Sequence, residues 1–95
     1  MLGVFMRLVE NSRLLRVLDE VEKTVKSIRW ILKQLMGYEK KYGMSTGAFI
    51  KKWRNGEIEE PDDPEKLEEL LNWDGLFEIL NKRLEELRSL VEGLR

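Results

Sequence analysis

Apolar residues recur along the chain in two long tracts with a shared rhythm. In the first, Leu14, Leu18, Val21, Val25, Ile28, Leu32 and Leu35 are spaced alternately four and three apart. A mean repeat of about 3.5 residues belongs to an α-helix packed along one seam, whereas a β-strand alternates every second residue. Val17, Ile31 and Tyr38 widen the stripe on one side, and Leu15 and Met36 on the other. The resulting face is broader than a two-helix seam requires. In the second tract, Leu70, Trp73, Phe77, Leu80, Leu84, Leu87, Val91 and Leu94 keep the same spacing. These patterns predict long helices over residues 11–42 and 63–94. Upstream of residue 11 the register fails, because Arg7 and Asn11 fall at seam positions. Residues 1–10 are therefore expected as a separate N-terminal arm, with Asn11 or Ser12 capping the first helix.

The stretch between the tracts, "KYGMSTGAFIKKWRNGEIEEPDD", reads as punctuation. Gly43 suits a left-handed helix stop. Ser45 suits an N-cap, with Met44 stapled against Phe49, so a short helix is predicted over residues 45–55. Asn55-Gly56 ends it, and an acidic loop over residues 56–63 leads to Asp63 as N-cap and Pro64 at the first helical position. Gly75 falls inside the last helix, where it costs about 1 kcal/mol relative to alanine. It marks either a kink or a close approach by another backbone.

Two helices of about 30 residues, each roughly 45 Å long, joined by a short connection pack antiparallel. The expected fold is all-α: one helical domain over residues 1–95, a long coiled-coil-like antiparallel hairpin with a short helix at the corner. The wide stripes predict that two hairpins pair into a four-helix-bundle homodimer.

Composition narrows the chemistry. The 95 residues contain neither cysteine nor histidine. Thiol chemistry, disulfides, zinc sites built on those residues and imidazole relays are thereby excluded. No glycine-rich phosphate loop or serine elbow is present. The expectation is a non-enzymatic protein with no catalytic residue, cofactor or metal. Arg7 interrupts the apolar start "MLGVFMRLVE", which is too short to span a membrane, so a cytoplasmic protein with no membrane partner is expected. A content of 37% charged residues, with a single glutamine, suits a heat-adapted protein and equally a coiled coil.

Charge is unevenly spread although the net is -1. Residues 38–56 carry Lys40, Lys41, Lys51, Lys52 and Arg54 against Glu39, a local net of +4. Residues 57–69 carry eight carboxylates, among them Glu57, Glu59, Glu60, Asp62 and Asp63, against Lys66, a local net of -7. The basic patch could contact phosphate, but the acidic run beside it would repel nucleic acid. The acidic loop lacks the alternating spacing and central glycine of a calcium loop. It suits docking onto a basic protein surface such as a nuclease's cleft, or else is a solvated loop neutralised by the neighbouring lysines. Trp30 lies off the seam among Lys23, Lys26 and Lys33. It is expected either at a protein interface or in a local cation–π arrangement. Trp53 and Trp73 are expected in the core.

The segment "KKYGMSTGAFIKKWRNGEIEEPDD", followed by "LLNWDGLFEIL" and a Leu/Glu/Arg-rich helix, resembles small helical antitoxin-like proteins of prokaryotic toxin–antitoxin pairs. The resemblance covers about residues 40–90 and rests on Tyr42, Gly43, Met44, Ser45, Phe49, Gly56 and Trp73. Asn72 departs from it, since such proteins often carry Glu before that tryptophan. It implies a protein-binding module that masks a partner such as a nuclease toxin. Trp30, Lys26 and Lys33, with Glu57, Glu59, Glu60, Asp62 and Asp63, are the candidate partner-binding residues. The alternative is a homo-oligomeric helical scaffold. A weaker alternative is a nucleic-acid binder using the Lys40–Arg54 patch.

Overall fold

The computed structural model describes residues 2–94, with side chains described from residue 11 onward. Three helices follow one another: α1 (Leu2–Tyr42), α2 (Thr46–Arg54) and α3 (Pro64–Glu92). The described residues are otherwise turns and loop, so the fold is all-α. Helices α1 and α3 pack against each other as a hairpin. Contacts between Tyr38 and Asn72 and between Ser27 and Arg83 establish that they run antiparallel. The molecule is long and thin, with extents of 70 × 21 × 19 Å.

Helix boundaries follow the capping chemistry. Ser45 Oγ accepts from the backbone N–H of Ala48 at 3.1 Å and starts α2. Met44 packs against the cluster that contains Phe49. Asp63 accepts from the N–H of Glu65 at 3.0 Å, and Pro64 opens α3. Gly43 (φ +66°) and Gly56 (φ +73°) take the left-handed conformation that other residues rarely adopt, and they stop α1 and α2. The start of α1 is different from expectation. Its backbone is helical from Leu2, so neither Asn11 nor Ser12 is a cap and residues 2–10 continue the helix. No proline or glycine pair interrupts that stretch, and each added residue needs only one further hydrogen bond once a helix exists. The side chains of residues 1–10 lie outside the described part.

The core sits at the corner end. Trp73 is fully buried and is stacked on Phe49 with ring centroids 4.0 Å apart and planes 2° from parallel. Tyr38 and Tyr42 each lie 5.6 Å from the same indole. Ile31, Leu35, Ile50, Leu70 and Leu76 complete the cluster, with Trp53 packed against it. Aromatic pairs of this kind add about 0.5–1.5 kcal/mol each beyond area burial.

This cluster also corrects the expected seam. The buried and half-buried residues of α1 include the line Val17, Val21, Thr24, Ile28, Ile31, Leu35, Tyr38 and Tyr42. They form a second heptad register that shares Val21, Ile28 and Leu35 with the expected one. Leu14, Leu18, Val25 and Leu32 belong to the expected register alone; the three leucines are exposed and Val25 is half-buried. On α3, Arg83, Leu87 and Leu90 are partly buried, while Leu84, Val91 and Leu94 are exposed. The reason lies in Trp73. Tyr38 can reach it only if α1 turns the line through Ile31 and Tyr38 inward. Thr24 occupies that line where an apolar residue would stand, which hid the register in the sequence pattern.

Candidate functional site

The corner is held by polar contacts around the aromatic cluster. The indole N–H of Trp73 donates to Thr46 Oγ1 at 3.0 Å. The backbone N–H of Thr46, in the first turn of α2, donates to Glu39 Oε2 at 2.7 Å. Glu39 therefore supplies an anion to the N-terminus of α2 from the end of α1. Glu69 on α3 accepts from Lys41 Nζ at 2.6 Å and also from the Tyr42 hydroxyl. The bond from Lys41, then that from Tyr42, holds the Glu69 carboxyl below the usual carboxylate range. Burial, reinforced by the bond to Glu69, pushes the Tyr42 hydroxyl up to about 12.

These contacts divide the basic patch. Lys41 is committed to Glu69. Arg54 donates to Asp74 at 2.7 Å and approaches Glu78 at 3.3 Å, with its guanidinium over the Phe77 ring. The bond to Asp74 raises the Arg54 pKa further above its ordinary value. Lys40, Lys51 and Lys52 are exposed and make no ion pair among the described residues. Two of the five cations thus brace the hairpin. Glu69 and Asp74 on α3 are the carboxylates they pair with.

The acidic loop is not neutralised by those lysines. Glu57, Glu59, Glu60 and Asp62 are exposed, with no ion pair among the described residues. Ile58 and Pro61 are partly buried between them, and Ile58 packs on the core. The alternation Glu-Ile-Glu-Glu-Pro-Asp thereby fastens the loop through its apolar members and leaves its carboxylates in water. Asp63 is spoken for as the α3 cap, which removes it from the free set. Among the described residues, no group of three carboxylates is placed to hold a metal ion.

Trp30 is 58% exposed, and Lys26 and Lys33 are exposed beside it. The cation–π contacts among the described residues involve Tyr42 and Phe77, so no lysine covers the Trp30 ring. Twelve residues of helix separate Trp30 from Tyr42 at the corner, about 18 Å along the axis. The candidate partner-binding residues therefore fall into two separate surfaces: a tryptophan flanked by lysines partway along α1, and the acidic loop at the corner.

The distal half of the hairpin carries polar groups across its seam. Arg83 Nε donates to Ser27 Oγ at 3.2 Å, its guanidinium also reaches Glu86 at 2.8 Å, and Thr24 is buried nearby. No helix is long and apolar enough to cross a membrane among the described residues. Comparison with known proteins finds no matching family model, curated protein or solved structure.

Proposed function

We propose that this chain is a non-enzymatic, cytoplasmic protein-binding module of the antitoxin kind. Its working form in this reading is a homodimer of hairpins joined as a four-helix bundle. Its task is to mask a basic partner protein, such as a nuclease toxin. The acidic loop carries the reading. Four exposed carboxylates stand on a loop fastened by Ile58 and Pro61, and the adjacent lysines leave them unpaired. A basic protein surface gains both steering and register from such a loop, and gains little from one already neutralised. A loop held in place also loses less conformational freedom on binding.

The test is co-expression of the full chain with the product of the adjacent gene, followed by co-purification. A stable complex is expected, weakened by raised salt and by E57K and E59K together. Repeated failure to co-purify would overturn the masking reading. A second reading, a homo-oligomeric helical scaffold, is favoured by one observation: the leucines left exposed on the outer flank of the hairpin. A self-associating chain that captures no partner is its expected signature.

A further inference from the structure

The expected seam residues that are not turned inward form an apolar stripe on one edge of the hairpin. The polar cross-links Tyr38–Asn72 and Ser27–Arg83 mark one edge. Helical geometry puts Leu14, Leu18, Val25 and Leu32 of α1 on the other edge, beside Phe77, Leu84 and Val91 of α3. Leu14, Leu18, Leu32, Leu84, Val91 and Leu94 are each between 42% and 49% exposed. Helix α2 covers this edge at the corner, and Arg54 over the Phe77 ring, 5.7 Å from its centroid, marks where that cover ends. From there to the open end, nothing among the described residues lies on the stripe.

We infer that a second copy of this chain packs on the stripe, so that α1 uses one heptad register within the chain and the other between chains. This rests on the homodimer reading above and specifies its face. Three observations point to a second copy. First, the stripe is two helices wide, so a lone partner helix would cover its groove and leave the outer leucines wet. A second two-helix layer covers all of it, and the hairpin is itself such a layer. Second, no charged residue interrupts the register on either helix: Leu14, Leu18, Val21, Val25, Ile28 and Leu32 run along α1, and Phe77, Leu80, Leu84, Leu87 and Val91 run along α3. An acidic or basic partner would find nothing to pair with there. Third, the stripe is long enough to hold a partner in register: Leu14 to Leu32 spans about 27 Å of helix, about five turns. The weak intrachain seam beneath it, with Thr24 and Arg83 in apolar positions, gives the distal half reason to gain support from outside.

The experiment is the solution mass of the full chain by sedimentation equilibrium across concentration. The expected mass is twice the 11.3 kDa of one chain. L18E and L84E should each raise the dimer dissociation constant by about tenfold or more. Helical circular dichroism at saturating concentration should be retained, because both positions are exposed in the single chain. W30E, on a different surface, should leave the dimer intact. If L18E fails to fold, L84Q provides the same readout with a smaller change. A wild-type dimer that survives both leucine substitutions would overturn this face while leaving the homodimer standing. A wild-type chain of single mass at every concentration would overturn both.

Discussion

The Trp73 indole and the Thr46 hydroxyl, 27 residues apart, share a buried hydrogen bond of 3.0 Å that ties α3 to the first turn of α2. Trp73 is 0% exposed, so its N–H has no recourse to water if that acceptor is removed. Thr46→Val keeps the shape and deletes the acceptor. It should lower unfolding free energy by about 1–3 kcal/mol, the cost of an unsatisfied buried donor. Thr46→Ser keeps the hydroxyl and should recover most of that loss. Urea unfolding of the two variants, read at equal denaturant slope, checks it.

The Tyr42–Glu69–Lys41 cluster makes stability depend on pH at both ends. Glu69 titrates below the ordinary carboxylate range in the folded chain, because Lys41 and Tyr42 donate to its ionised form. Its contribution is therefore present at neutral pH and is lost as pH falls through the folded pKa. Tyr42 is shifted the other way, to about 12 from 10.0. Its contribution is full below pH 10 and is lost as pH rises towards 12. Thermal melts of wild type and Tyr42→Phe should show a loss between those pH values that the variant lacks. Equal alkaline slopes in the two proteins would contradict this.

Much of this corner was legible in the sequence because its signals are local. Ser45, Asp63-Pro64, Gly43 and Gly56 each act within a few residues, and all four stand where capping chemistry puts them. The heptad tracts likewise announced two long helices. What they could not disclose is which of two overlapping registers faces inward. Both share Val21, Ile28 and Leu35, and the choice is made by Trp73, a residue on another helix. Glu39, Asp74 and Glu69 were missed as bracing groups for the same reason. A carboxylate on a helix surface looks solvated until the fold brings a donor to it. The alternation of acids with Ile58 and Pro61 was the one local hint that the loop is fastened.

Two glycines should respond oppositely to alanine. Gly75 lies within α3, and a Cβ added there would meet nothing within 4 Å, so it serves neither close approach nor contact. Gly75→Ala should stabilise by about 1 kcal/mol, the difference in helix propensity. Gly43 also has open space around it, but its φ of +66° is unfavourable for any residue with a Cβ. Gly43→Ala should destabilise by roughly 1–2 kcal/mol through that backbone cost alone. Paired melting curves separate the two, since space is the same at both sites and only the backbone conformation differs.

The acidic loop should prove dispensable for folding. Glu57, Glu59 and Glu60 are exposed, carry no ion pair among the described residues, and sit within a run of like charge. Their mutual repulsion opposes the folded loop more than any contact rewards it. Replacing all three with Gln should therefore leave the melting temperature unchanged or raise it, and should flatten its dependence on added salt, because screening relieves the same repulsion in the wild type. Ile58→Ala makes the contrast: it loosens the anchor on the core and should destabilise while leaving every carboxylate in place. A triple variant that melts well below wild type would mean that these carboxylates support the fold, and would remove the reason for assigning them to a partner. A triple variant that folds well but no longer retains the adjacent gene's product would place their use in binding.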